Sequence, residues 1–79
     1  MAKVIIKSIA KQSIMSNEDF EYIKDNIGKP LPVLSISFWR ARPSVVSTLA
    51  VYTPDSCITL FPEEQGIVFE MDFGVINND

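Results

Sequence analysis

The segment 38–42, with the sequence FWRAR, has the composition in this chain that is best suited to binding. Trp and Arg are enriched among the side chains that dominate binding energy at protein interfaces. The same residue types stack on nucleobases and hold phosphates, so nucleic acid is the alternative ligand. Strand alternation turns Trp39 to the face opposite the core. We therefore predict partner-binding residues at Trp39, Arg40 and Arg42; the alternative is that Trp39 closes the edge of the core.

A second candidate surface is acidic. Glu70 and Asp72 alternate with apolar residues in the last predicted strand, which places both carboxylates on its outer face. With Glu63 and Glu64, they would present negative charge to an Arg- or Lys-rich site on a nucleic-acid-handling protein. We predict Glu70 and Asp72 as partner-binding residues; the alternative is an ordinary solvated strand face.

Residues that support catalysis or metal binding are sparse. The sequence has no histidine, which removes the usual general base near neutral pH and every Ser-His or Cys-His pair. With Cys57 as the single cysteine, the ordinary zinc ligand sets cannot be built within one chain. Cys57 lies in a predicted strand, where we expect a buried apolar residue and not a reactive thiol. We predict a non-enzymatic protein with no catalytic residue, metal site or cofactor.

The clearest predicted element is an amphipathic helix over residues 17–27. Ser16 is a suitable N-cap, with Asp19 three residues later as a short capping-box partner. Gly28 is suited to the position that follows a helix, and a proline two residues later prevents its continuation. Apolar residues recurring at i, i+3 and i+7 form the predicted buried stripe: Phe20, Ile23 and Ile27.

Strand patterns occupy most of the remaining chain. The predicted strands span residues 3–11, 33–38, 45–53, 57–61 and 67–75. The first of these patterns would also fit one face of a helix. In the second strand, the residues predicted to face the core are Leu34, Ile36 and Phe38. In the last strand, they are Ile67, Phe69, Met71, Phe73 and Val75.

The turns and the element order together predict the fold class. Residues 54–56 and 63–66 have turn chemistry, and Gly66 is expected at positive φ. The order predicts a single α+β domain over residues 1–79, with one helix packed on a mostly antiparallel sheet of about four to five strands.

The composition favours association with another molecule. The chain has 79 residues, of which 47% are apolar, a high apolar load for so small a domain. Exposed apolar patches usually mark interfaces, and a short meander leaves two edge strands that can pair with another chain. We predict a complex with a larger protein, and the alternative is a homo-oligomer.

The charges are divided unevenly along the sequence. Residues 1–42 contain seven bases and four acids, 7 − 4 = +3, whereas residues 43–79 contain no base and six acids, giving −6. This asymmetry is typical of an electrostatically steered surface, unless folding brings the two halves together and neutralises them.

These observations predict a small cytoplasmic interaction protein, of inhibitor or adaptor type, in its own cell or in a host cell. The single cysteine fits a reducing compartment, and no apolar run approaches the ~20 residues that span a bilayer. Such proteins are common among phage and mobile-element products, although no residue here indicates that origin. The alternative function is nucleic-acid binding through the Trp/Arg surface, and no membrane association is expected.

Overall fold

A computed structural model describes residues 2–10 and 15–72 as a five-stranded antiparallel sheet with two helices. The elements in chain order are β1 (Lys3–Ser8), α1 (Asn17–Asp25), β2 (Pro30–Phe38), β3 (Val46–Tyr52), β4 (Cys57–Leu60), α2 (Pro62–Gln65) and β5 (Val68–Asp72). The strand order is β4-β3-β2-β1-β5, and each neighbouring pair is antiparallel. The predicted α+β class is confirmed in its broad form, with the sheet dominant and a second, short helix present. The ambiguous first segment is a strand that ends at Ser8, so its predicted extension through Ala10 is wrong, and Lys11 lies outside the described residues.

The long strand β2 belongs to both halves of the sheet. Its residues 30–32 pair with β1, and its residues 33–38 pair with β3. Between these halves the register shifts, because Val33 lies opposite Val51 whereas Ser35 lies opposite Ala50. Leu34 is therefore the extra residue of a β-bulge. The side chains that follow it in β2 point to the opposite faces of the sheet from those that an unbroken strand would give them.

The β-bulge corrects the predicted core face of β2. Leu34 and Phe38 were expected to be buried, but they are 45% and 49% exposed. After the extra residue at Leu34, Ile36 alone of the predicted three packs against the core. A second register shift places Phe38 opposite Val46, at the end of this strand pair. One residue of slip is enough to move a side chain from one face of a sheet to the other.

One apolar core joins both halves of the sheet and both helical regions. Its buried members are Val4, Ile6, Ile23, Leu31, Leu49, Val51, Ile58, Leu60 and Ile67. Phe69 and Met71 of β5 lie opposite Ile6 and Val4 of β1 and pack against this core, as the alternation predicted. The predicted continuation of β5 through Phe73 to Val75 lies outside the described residues.

The first helix begins where the sequence predicts. The hydroxyl oxygen of Ser16 accepts a hydrogen bond from the backbone N–H of Asp19 at 3.1 Å, which satisfies one of the unpaired donors of the first turn. Ile23 is fully buried, but Phe20 is half-buried and Ile27 is exposed. The predicted three-residue stripe is therefore wrong for Ile27, because the helix ends two residues earlier than expected.

The end of α1 is set by Asn26. Its side-chain amide donates to the backbone oxygen of Tyr22 at 2.8 Å, and its own N–H donates to the backbone oxygen of Ile23 at 3.1 Å. These bonds stop the helix at Asp25 and begin a turn through Gly28, whose N–H donates to Ile6 in β1 at 2.9 Å. Tyr22 packs against the core in place of Ile27.

The predicted turn over residues 63–66 is the helix α2. Pro62 supplies the fixed φ that suits the first helical position, and two glutamates follow it in the first turn. Gly66 ends the helix with φ +59°, which confirms the expected positive φ. A Cβ atom built on Gly66 would lie 2.9 Å from Cβ of Ala10, so this helix end is packed closely against the chain after β1.

The close contact at Gly66 leads to a prediction for which Gly28 is the control. Gly28 also has positive φ, +82°, but a Cβ there would have no atom within 4 Å. Replacing either glycine by Ala places an L-residue in the left-handed region, at a cost of about 1–2 kcal/mol. We expect Gly66→Ala to lower the free energy of unfolding by clearly more than Gly28→Ala, measured by urea denaturation. Equal losses would show that the chain near Ala10 moves aside without cost.

Candidate functional site

Trp39 begins the loop over residues 39–45, which connects β2 to β3. Its N–H donates to the backbone oxygen of Val45 at 3.0 Å, and its own backbone oxygen accepts from the N–H of Arg42 at 3.2 Å. The N–H of Val45 in turn donates to the oxygen of Arg42 at 2.9 Å. These main-chain hydrogen bonds fix the backbone at Trp39. The side chain is 44% exposed, and its role in binding stays a prediction.

A groove of about 430 Å³ opens beside the indole, and we call it the Trp39 groove. It is lined by Trp39, Ser47, Thr48, Phe61, Glu63 and Glu64. The strand order β4-β3-β2 explains its construction. Trp39 follows β2 and forms one wall, whereas Phe61 and α2 follow β4 and form the other. Ser47 and Thr48 of the intervening β3 lie between the walls.

Arg42 connects the two walls of the Trp39 groove. Its guanidinium Nη2 lies 2.9 Å from Oε1 of Glu63, in an ion pair between two exposed side chains. Exposed pairs of this kind contribute only about 0.2–1 kcal/mol to stability, so the contact is a weak link between the loop and α2. The charge of Arg42 is thereby balanced locally.

Arg40 and Glu64 are the free charges beside the Trp39 groove. Both side chains are exposed, and neither forms an ion pair within residues 2–10 and 15–72. Arg40 follows Trp39 in the chain, and Glu64 lines the α2 wall of the groove. The groove lining therefore combines two aromatic rings with the carboxylates of Glu63 and Glu64.

Glu70 and Asp72 lie elsewhere, on the outer face of the β1–β5 pair. Lys7 Nζ lies 3.6 Å from Oε1 of Glu70, and Lys3 is the cross-strand partner of Asp72. Neither acid lines the Trp39 groove. The structure thus brings Trp39 and Arg42 together with Glu63, and it separates Glu70 and Asp72 from them, on a face of mixed charge.

Folding brings some charges from the two halves of the sequence together. The pairs Arg42–Glu63 and Lys7–Glu70 each join a base from the first 42 residues to an acid from the remainder. Local neutralisation, the alternative interpretation of the charge pattern, therefore applies at both of these positions.

A second groove adjoins the Trp39 groove, and we call it the Val68 groove. Its volume is about 530 Å³, and its lining is Ser44, Val45, Val46, Pro62, Glu63, Gly66, Ile67, Val68 and Phe69. Val68 begins the edge strand β5 and is 58% exposed. Because Glu63 lines both grooves, they form one continuous surface around α2.

The α2 side of this surface was not predicted. The Pro62-Glu63-Glu64 sequence followed by Gly66 is a helix-start and helix-end signal that could have identified α2. No local signal could have indicated that α2 lies across from Trp39, because 22 positions separate Trp39 from Phe61 (61 − 39) and only the fold brings them together.

Cys57 lies in a third depression, of about 500 Å³, between α1 and the β3–β4 turn. The expectation that this cysteine is buried is wrong, because its side chain is exposed at the start of the edge strand β4. The acids lining the depression are Glu18, Asp19 and Asp55. Among the residues that the structure describes, no three Cys, Asp or Glu side chains converge in the way that metal ligands do.

Comparison with known proteins finds no matching family model, no similar curated protein and no similar solved structure. Within the described part of the chain, neither helix has the length and apolar content needed to cross a membrane. The geometry of the Trp39 groove is therefore the main basis for a functional proposal.

Proposed function

We propose that this protein is a non-enzymatic interaction protein, of inhibitor or adaptor type, that binds a larger protein through the Trp39 groove. The observation that carries the proposal is an exposed Trp39, whose backbone is held by hydrogen bonds, across a groove from a second aromatic ring and followed in the chain by the unpaired Arg40. Trp and Arg are the residue types that most often dominate binding energy at protein interfaces.

The geometry favours a tight contact. The loop over residues 39–45 is closed by three backbone hydrogen bonds and by the Arg42–Glu63 pair. A binding surface that is already ordered loses little conformational entropy when a partner docks, which leaves more of the contact energy for affinity. The aromatic walls supply apolar area, and Arg40 supplies a charge-assisted hydrogen bond to the partner.

A protein partner fits this charge distribution better than nucleic acid does. Phosphate binding requires a basic surface, because affinity comes from neutralising the backbone charges. Here Glu63 and Glu64 line the groove, and Arg42 is already paired with Glu63. The bases on β1 are interleaved with the acids of β5 in the same way. A partner surface with both signs of charge and an apolar centre would match the groove.

The proposed setting is the cytoplasm, either of the cell of origin or of a host cell. Cys57 is exposed, and a chain with one cysteine cannot form an internal disulfide. An exposed thiol of this kind stays reduced in the cytosol.

We expect Trp39→Ala to weaken the binding of the partner at least about 30-fold, the ratio that corresponds to a hot-spot loss of about 2 kcal/mol. Tyr52→Ala is the matched control, because Tyr52 is 43% exposed and lies at the opposite end of β3. Six residue steps separate it from Val46 at the groove end, about 20 Å along the strand. We expect that control to bind like the wild type.

The experiment is a pull-down with tagged protein from a lysate of the source or host cell, with and without nuclease. Surface plasmon resonance on the recovered partner then compares the two variants. A stoichiometric protein that survives nuclease and needs Trp39 supports the proposal. Recovery that is lost on nuclease treatment would replace it with the nucleic-acid function, and equal binding by both variants would exclude the Trp39 groove.

A further inference from the structure

One edge of β2 has no partner along the second half of the strand. β2 pairs with β1 over residues 30–32 and with β3 over residues 33–38. On the β1 side, the N–H of Val33 donates to the backbone oxygen of Ala2 at 3.1 Å. Beyond that bond, no strand within residues 2–10 and 15–72 pairs with residues 34–38 on this side. We call residues 34–38 the open edge of β2.

The hydrogen bonds at the two ends of this stretch show which backbone groups point outward. The N–H of Trp39 bonds to the chain that enters β3. Successive N–H groups of a strand point to alternate sides, so those of Phe38 and Ile36 point away from β3. The N–H of Val33 also points away, and the extra residue at Leu34 accounts for the odd step from Val33 to Ile36. Among the described residues no second strand meets Ile36 or Phe38, so their outward N–H and C=O groups can pair with another chain.

The two outer edges of the sheet are protected against strand addition, whereas the open edge of β2 is not. β4 is only four residues long, and β5 carries the charges of Glu70 and Asp72. Short edge strands and charged side chains are devices that prevent an edge from adding a strand. Residues 33–39 have the sequence VLSISFW, with no charge and no proline. Of the six large apolar side chains exposed in the described part of the chain, three belong to this stretch: Leu34, Phe38 and Trp39.

The open edge is complementary to an antiparallel copy of itself. A two-fold axis at Ser37 places Ile36 of each copy opposite Phe38 of the other. Both positions have outward backbone groups, so each of these pairs exchanges two hydrogen bonds across the axis. Ile36 packs against the core, whereas Ser37 is exposed on the opposite face. In this register apolar residues meet on one face, serine meets serine at the axis and no like charges are opposed, and this match selects a second copy as the occupant.

We propose that two copies of this chain associate through their open edges, with the β2 strands paired antiparallel about a two-fold axis at Ser37. The paired segment, residues 35–39, stops short of the bond between Val33 and Ala2, so the pairing of β1 with β2 is retained. The β2–β3–β4 meanders of the two copies then form one continuous sheet.

The area of the contact indicates a weak dimer. Leu34, Phe38 and Trp39 are each a little under half exposed. Together they expose about 300 Å² per copy. Even with the main chain added, two copies stay below the ~1,200 Å² that separates weak, transient interfaces from stable ones. We therefore expect a dissociation constant on the order of 100 μM.

The self-association goes beyond the proposed function and does not depend on it. The open edge lies on the β1 side of β2, whereas the Trp39 groove is lined mainly by residues of β3, α2 and the end of β4. Trp39 lies at the end of both surfaces, so its substitution is not used to test the dimer.

Ser37 allows a charge-swap test. A residue on the axis lies directly opposite its own copy, so Ser37→Lys opposes two Lys and Ser37→Glu opposes two Glu. Ser37 is exposed, so neither change disturbs the core. We expect each variant alone to dimerise at least about fivefold more weakly than the wild type, measured by sedimentation velocity over a concentration series. An equimolar mixture opposes Lys to Glu, and we expect it to recover the wild-type affinity as a heterodimer.

Phe38→Pro tests the backbone bonds. Proline removes the outward N–H of this residue, and a proline is tolerated where the N–H faces away from the neighbouring strand. The variant loses two of the hydrogen bonds between the copies, one at each end of the paired segment. We expect it to dimerise at least about tenfold more weakly than the wild type in the same sedimentation series.

Thr59→Lys is the matched control for Ser37→Lys. Thr59 is an exposed strand residue on β4, at the outer edge of the sheet beyond β3. We expect it to dimerise like the wild type, and circular dichroism melting verifies that every variant is folded. A loss at Thr59 as large as that at Ser37 would place the contact at β4 and overturn the proposal.

Three further results would overturn it: a wild type that stays monomeric up to about 1 mM, Ser37 variants that dimerise as the wild type does, or a mixture that fails to recover. A monomeric wild type whose cellular partner binds Phe38→Pro poorly would show that the open edge adds a strand from another protein instead.

The sedimentation readouts use purified protein alone, so they are separate from the pull-down. A monomeric protein whose partner still requires Trp39 would refute the dimer and leave the proposed function standing. A dimer with no cellular partner would do the reverse.

Discussion

Leu49→Ala is expected to lower the free energy of unfolding by about 2–5 kcal/mol, the range for large cavities in well-packed cores. Leu49 is fully buried in β3, between Ile36 of β2 and Leu60 of β4. At about 0.05–0.15 kcal/mol per residue, a domain of 79 residues has a total stability of about 4–12 kcal/mol. The substitution therefore removes a large fraction of the total, and urea denaturation followed by circular dichroism measures it.

Leu34→Ala is the matched control for this cavity. It makes the same chemical change at the extra residue of the β2 bulge, where Leu34 is 45% exposed. We expect a loss within about 0.5 kcal/mol, as for other surface positions. A loss at Leu34 as large as that at Leu49 would mean that β2 has the unshifted register, with Leu34 on the core face.

Gln65→Leu is expected to lower the free energy of unfolding by about 1–3 kcal/mol, because it leaves a backbone donor without its partner. Gln65 is fully buried, and its Oε1 accepts a hydrogen bond of 2.7 Å from the N–H of Phe61. Its Nε2 donates to Sδ of Met15 at 2.9 Å. In a domain of this size each kcal/mol lowers the melting temperature by about 4–8 °C, so the effect is visible in a thermal scan.

The control for this change is Glu64→Leu, which introduces the same side chain at the preceding, exposed position of α2. We expect its free energy of unfolding to stay within about 0.5 kcal/mol of the wild-type value. If Gln65→Leu were as stable as the wild type, the gain in apolar burial would offset the lost hydrogen bonds, and these bonds would make no net contribution to stability.

The elements that the sequence predicts well are those determined by neighbouring residues. The start of α1 follows from the Ser16 cap, whose hydrogen bond to Asp19 spans only three positions. The strand alternation around Phe69 and Met71 is correct because β5 has no irregularity between them. Such local signals are present in the unfolded chain and therefore in the sequence.

The features that the sequence does not predict depend on distant parts of the chain. Leu34 is displaced because β2 changes partner from β1 to β3 at that point, and the alternation of its own residues continues unbroken through the bulge. The α2 wall of the Trp39 groove also depends on distant parts of the chain. Trp39 is recognisable by residue type, whereas Phe61 and Glu64 join it only through the path of the chain around the core.

The central position of β1 has a consequence for how the protein folds during synthesis. The β2–β3–β4 meander can form from contiguous chain, but β1 pairs with β5 across a wide separation, such as the 65 positions from Ile5 to Glu70 (70 − 5). Closing a loop of that length costs about 3–4 kcal/mol of chain entropy. During synthesis, the edge of β1 that pairs with β5 therefore stays unpaired until β5 has left the ribosome. The native sheet is completed only then, and until that point the free edge of β1 is open to chaperones that bind exposed strand edges.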